Sequence, residues 1–140
     1  MSTTAQWVFE TAMHLMDRTA DGVADHAGTQ EYKSRCVAIL NVLCGECFAA
    51  SDNYSHTESG KRPLCPVLGG MEEELGVDDG LCRTVLPYGL AAHLLLEEDP
   101  ASASYFQQRY EEMLSRARRA LPTASEDITD CYGGVTWQGY

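Results

Sequence analysis

Two cysteines three apart, Cys44-Gly45-Glu46-Cys47, have the spacing of a dithiol that cycles to a disulfide, or of half a zinc site. A catalytic dithiol sits at a helix start, where the dipole favours the thiolate. This pair instead falls inside or near the end of an apolar helical pattern, where the dipole has the opposite sign. Zinc needs two converging ligand pairs. Here Cys65 and Cys82 follow singly, with His56 as an extra ligand in a loop. Buried structural thiols are the plainer reading, because free cysteine packs as a small hydrophobe. Cys36 and Cys131 bring the count to six, an even number that suits disulfides only in a secreted chain.

The remaining reactive types do not complete a catalytic pattern. His14 and His93 lie on helical stretches, and no nucleophile–base–acid arrangement can be assembled around them or His26. HLLLE, from His93, lacks the second histidine of a zinc-protease helix. Asp78-Asp79-Gly80 lacks the ligand spacing of a calcium loop. Gly69-Gly70 is followed by no Lys-Ser/Thr and is no phosphate loop. Glu72, Glu73 and Glu74 read as a solvated face. The expectation is a protein with no enzymatic activity, no cofactor and no bound metal.

Composition points the same way. The chain has 140 residues, 44% of them hydrophobic, which suits one globular domain with a real core. Its net charge is −11, and Arg116, Arg118 and Arg119 are the densest basic group. Such a surface repels phosphate backbones, so specific nucleic-acid binding is not expected. The longest apolar run, 37–44, is interrupted by Asn41 and far too short for a membrane span. MSTTAQWVFE carries no basic region followed by an apolar block, so the expectation is a chain without a secretory signal that stays in the cytoplasm.

The elements that must position these residues are helical. Thr3 and Gln6 have capping-box spacing for a helix over about 4–17, with Trp7, Val8, Ala12, Leu15 and Met16 as its apolar stripe. A polar connector follows. Thr29 suits the N-cap of a second helix. Tyr32, Cys36, Ile39, Leu40, Leu43 and Cys47, beside Val37, Cys44 and Phe48, make that helix apolar around most of its circumference and predict the central element. Residues 51–86 read as a long irregular loop, with one helical turn at MEEELG. Pro87 suits the first turn of a third helix over 88–98. Asp99-Pro100 then supplies an N-cap and first helical residue for a fourth, whose stripe is Phe106, Tyr110, Met113, Leu114, Ala117 and Leu121. Tyr88 and Tyr110 are expected to meet across the corner between these two helices. The last stretch, with Ile128, Tyr132, Val135, Trp137 and Tyr140, is too apolar for a solvated tail, and Gly133-Gly134 suits an extended arm. The expected architecture is all-α: a small bundle of about four helices over 1–122, with an irregular loop at 51–86 and a C-terminal arm at 123–140.

The element order resembles the head–tail connector (adaptor) proteins of tailed bacteriophages and prophages. The resemblance spans about residues 5–135 and is carried by LPYGLAAHLLLEEDP, YFQQRYEEML and the arm EDITDCYGG. The cysteine-bearing loop departs from the compact versions of that family. The resemblance implies a structural virion protein, assembling as a homo-oligomeric ring between portal and tail. Its implied partners are the portal and tail-completion proteins, and its implied locations are the virion and, during assembly, the host bacterial cytoplasm. On this reading Glu97, Glu98 and Asp99 at the helix corner, and Tyr132, Val135 and Trp137 on the arm, are the candidate partner-binding residues. Two other readings remain open. One is an acidic cytosolic protein-interaction module; the other is a zinc or thiol protein using Cys44, Cys47, Cys65 and Cys82.

Overall fold

Thr4, not Thr3, opens the first helix. The computed structural model describes residues 2–54 and 60–120. In it α1 runs Ala5–Leu15, and the Thr4 side chain accepts the Trp7 N–H at 3.2 Å. Thr3 is buried instead. Its N–H donates to Asp79 Oδ1 at 2.8 Å, and its hydroxyl accepts from Arg83 Nε at 3.3 Å. Capping-box spacing cannot see this, because Thr3's partners lie more than seventy residues away. Two further free N–H groups of the first turn are met by backbone. Ala5 donates to Glu73 O at 3.1 Å and Gln6 to Met71 O at 2.8 Å. That use of MEEELG replaces the expected helical turn: the segment runs past α1 with its carbonyls turned inward, and Glu72, Glu73 and Glu74 stay exposed.

The buried face of α1 is Ala5, Val8, Phe9, Ala12 and Met13, continued by Met16. Trp7 and Leu15, expected inside, are 40% and 37% exposed. Both stripes have helical period; only the neighbours decide which one is covered. After α1 the backbone reverses at Asp17, φ 58°, and again at Asp21-Gly22, φ 49° and 78°. Ala20 and Val23 exchange two hydrogen bonds across that second turn. Two adjacent residues with positive φ define a type I′ geometry, for which Asp-Gly is a favoured pair.

A short 3₁₀ turn, Ala27–Thr29, leads into α2, Gln30–Cys47. Thr29 holds the N-cap position but makes no capping bond to α2; its buried hydroxyl donates to Ala24 O at 2.8 Å. A second 3₁₀ turn, Phe48–Ala50, ends the helix. Within the stretch expected to be irregular, α3 forms at Asp79–Thr84, with Asp78 Oδ1 accepting the Leu81 N–H at 3.0 Å. Then α4, Leu86–Leu94, carries Pro87 in its first turn. It stops four residues short of the expected end, and residues 95–98 form a turn closed by the Asp99 N–H on Leu95 O at 2.9 Å. Finally α5 covers Pro100–Arg119. Asp99 caps it as expected, accepting from the Ser102 N–H at 3.2 Å and the Ser102 hydroxyl at 2.7 Å.

The fold is therefore an all-α bundle of five helices among the described residues. Its centre is α4 rather than α2. The α4 helix touches α1, α2, α3 and α5, and it buries Leu86, Pro87, Gly89, Leu90, Ala91, Ala92 and Leu94. By contrast α2 keeps one face in solvent, through Glu31, Ser34, Arg35, Ala38, Val42, Gly45 and Glu46. Short side chains let neighbours close on α4. A Cβ added at Gly89 would stand 2.8 Å from the Tyr110 ring and 3.1 Å from Leu43. No helix among the described residues is long and apolar enough to cross a membrane.

Candidate functional site

The turn joining α4 to α5 brings the acidic corner against α2, and its three acids take different roles. Glu98 reaches back to accept a short hydrogen bond from the Tyr32 hydroxyl, and Arg18 Nη2 donates to it at 3.1 Å. The Tyr32 bond and then the Arg18 charge hold the Glu98 carboxyl below its usual range. Burial and that same bond raise Tyr32. Asp99 is lowered by its two bonds from Ser102, the cost and benefit of capping α5. Glu97 is exposed and, among the described residues, has no ion-pair partner. Of the acids at the corner, it is the one whose charge remains open to a partner.

Around Glu97 the surface is concave. A groove of about 530 Å³ is lined by Glu31 and Arg35 of α2 and by His93, Leu96, Glu97 and Glu98. A second groove, of about 450 Å³, continues across α5 past Ala92, Pro100, Ala103 and Gln107. His93 and Leu96 line both, so they form the saddle between them. Leu96 is 61% exposed, an aliphatic side chain left in solvent where the two grooves meet. Arg35 stacks on the Tyr32 ring, its guanidinium carbon 5.8 Å from the centroid, which keeps a cation at one end of an otherwise acidic rim. The first groove is lined mainly by charged side chains and the second mainly by apolar ones, with Leu96 common to both. Leu96, Arg35 and Glu31 were not singled out from sequence as site residues, and His93 was weighed only as a helical histidine without catalytic partners. Their signal would have been an aliphatic residue just beyond the buried stripe of α4, followed at once by acids.

The four thiols of the alternative metal reading do gather. Cys44 is close enough to feel Cys65, Cys82 and Cys47. Two of them are engaged otherwise, however. Cys47 shares a hydrogen bond with the buried Tyr110 hydroxyl at 3.3 Å, and Cys82 donates to Val77 O at 3.5 Å. Among the described residues no group of three or more His, Cys, Asp or Glu side chains is placed to hold a metal ion. Burial pushes Cys82 and Cys36 up to about 12, and it also raises Cys44, Cys47 and Cys65. All five carry free thiols. Such groups are poor nucleophiles near neutral pH.

Other residues weighed from sequence turn out to hold the frame. His26 caps the 3₁₀ turn through Nδ1, which accepts the Gly28 N–H at 3.1 Å, while Nε2 bonds Arg18 O at 3.0 Å. Tyr88 does not pair with Tyr110 as expected. It lies 6.5 Å from the Phe106 ring and under the Arg109 guanidinium, whereas Tyr110 turns to Cys47. His56, Cys131 and the arm residues Tyr132, Val135 and Trp137 lie outside the described residues. Compared with family models, curated proteins and solved structures, the chain finds no match.

Proposed function

We propose that this protein works by assembly, as a head–tail connector of a tailed phage or prophage, binding portal and tail-completion proteins as a ring of subunits. One observation carries the assembly part of this reading: the α4–α5 corner combines a groove, the exposed Leu96 and Glu97, which has no ion-pair partner among the described residues, and it is held to α2 by Tyr32–Glu98. A corner fixed in this way offers a partner a surface that needs little ordering on binding. The phage context rests on the resemblance of LPYGLAAHLLLEEDP and YFQQRYEEML to connector proteins. Tyr132, Val135 and Trp137 of the arm supply a second contact, with a neighbouring subunit or the portal.

The test is direct binding of the purified chain to a ring of the portal protein encoded beside it. Capture by the portal ring, weakened by Glu97→Lys and by truncation after Asp130, is the expected result. A chain that ignores the ring, or whose gene has no portal and capsid genes as neighbours, defeats the reading. Capture that persists unchanged after truncation removes the role of the arm alone.

A further inference from the structure

The corner groove has a counterpart elsewhere on the same molecule. In the segment 62–68, Arg-Pro-Leu-Cys-Pro-Val-Leu, Pro63 and Pro66 fix φ at two points three residues apart. The segment forms neither helix nor strand. An extended proline-bearing chain repeats about every three residues, so Leu64 and Val67 share one side and Cys65 and Leu68 the next. Burial follows that division. Leu64 and Val67 are 87% and 84% exposed, while Leu68 is buried. Asn41 of α2 clamps Leu68 from both sides: its Nδ2 donates to Leu68 O at 3.0 Å, and its Oδ1 accepts the Leu68 N–H at 2.7 Å. Cys65 is wedged against Gly76, where an added Cβ would stand 2.9 Å from its Sγ. Two aliphatic side chains are thus held out into water by a segment whose inward side is fastened.

We propose that the segment 62–68 docks across the two grooves of the α4–α5 corner of a second copy of the chain, with Leu64 and Val67 against Leu96, Pro100 and the alanines of the second groove, and Arg62 against Glu97 and Glu31 of the first. Charge selects a second copy's groove as the occupied surface. With a net charge of −11, two copies repel unless a basic group of one meets acids of the other. Arg62 stands at the start of the segment and is exposed; Glu97 and Glu31 rim the groove. The two surfaces lie on different sides of α2. Asn41, which anchors the segment, is six residues beyond Arg35, roughly 9 Å along the helix and about 120° around it. Distinct patches on one molecule give a head-to-tail contact, which propagates from copy to copy and closes into a ring where the rotation allows. A preorganised extended segment pays little ordering entropy on docking.

This inference rests on the assembly reading above and names its intersubunit contact. Sedimentation of the full chain at low salt, across micromolar to millimolar concentration, tests it. The wild-type mass is expected to rise with concentration. Leu64→Asp combined with Val67→Asp should weaken association by about tenfold or more, since two buried aliphatic contacts are lost. Arg62→Glu and Glu97→Arg should each weaken it, and the two together should restore it, as an exchanged charge pair must. A wild-type chain that stays monomeric throughout, or association that survives the double aspartate variant, overturns the proposal. So does a charge exchange that fails to restore association, or loss on truncation after Ala120 with no effect of the segment variants, which would make residues 121–140 the occupant. These variants change exposed side chains, and unchanged circular dichroism establishes that they remain folded. Portal capture is read separately: a monomer that still binds the portal ring sinks this contact alone, whereas a self-associating chain that ignores the portal sinks the connector reading alone.

Discussion

The Tyr32 hydroxyl donates to the Glu98 carboxylate across 66 residues of sequence, joining the first turns of α2 to the turn that ends α4. Arg18, from the connector after α1, donates to both groups, at 3.4 Å to Tyr32 and 3.1 Å to Glu98. Three separate stretches of chain therefore meet at one phenol–carboxylate pair, and Glu98 of that pair also lines the groove beside it.

Substitution should separate the three acids of the corner. Asp99→Ala removes the α5 cap and is expected to lower the denaturation midpoint. Tyr32→Phe removes the hydrogen bond to Glu98, at about 1 kcal/mol. Glu97→Ala should stay within about 0.5 kcal/mol of wild type, as an exposed and unpaired side chain does. Urea denaturation midpoints at constant slope measure all three. Equal losses at Glu97 and Asp99 would mean that Glu97 has a structural role.

Two helical glycines should respond with opposite signs. At Gly45 a Cβ meets nothing within 4 Å, so Gly45→Ala is expected to stabilise by about 0.5–1 kcal/mol. At Gly89 the same methyl would intrude on Tyr110 and Leu43, so Gly89→Ala should destabilise by about 1–3 kcal/mol. Thermal unfolding of the two variants side by side is sufficient, and a stabilised Gly89→Ala would contradict the close approach of α4 and α5.

Asp25 should contribute to acid stability. Its carboxylate accepts from Lys33 at 2.7 Å, Gln30 at 2.7 Å and Gln6 at 2.9 Å, joining α1 to α2. The Lys33 hydrogen bond, then that of Gln30, lowers its pKa from 3.8 to about 2. Between these values the unfolded chain binds the proton and the native one does not, so stability rises with pH there. The contribution is whole above pH 3.8 and disappears as pH falls towards 2. Asp25→Asn should lower the melting temperature at pH 6 and flatten its decline across that window.

The buried thiols should respond only when the fold opens. Alkylation of Cys36, Cys44, Cys47 and Cys82 is expected to track global unfolding, with half-buried Cys65 reacting sooner. Mass spectrometry of the labelled peptides reads each site. On the alkaline side the sign is reversed. Cys36 and Cys82 stay protonated up to about 12 in the native state, against 9.0 for an ordinary thiol. The stability they contribute is present below pH 9 and is lost as pH rises towards 12.

Sequence and structure agree most where the cause is local. Asp99 and Pro100 start α5, and Phe106, Tyr110 and Leu114 are its buried face, because an N-cap and a period of 3.6 act within a few residues. The candidate site was legible only in part. Its acids stand out in EEDP, but nothing local distinguishes Glu98, which Tyr32 and Arg18 take up, from Glu97, which stays open. Likewise the alternation of exposed Leu64 and Val67 with inward Cys65 and Leu68 needs the clamp from Asn41, 27 residues upstream of Leu68.

By itself, the sequence determined that this is a helical protein, where most of its helices begin, and that Cys36, Cys44 and Cys47 sit among apolar neighbours. Those properties follow from spacing, capping chemistry and composition, which act along the chain. Tertiary structure decided that α4 rather than α2 is the centre, that Phe9 and Met13 go inside while Trp7 does not, and that Thr3 ties the N-terminus to α3. It also opened the groove at the corner. An amphipathic stripe states that a face will be covered. What covers it depends on contacts between residues far apart in sequence, and their energies are settled only when the whole chain has packed.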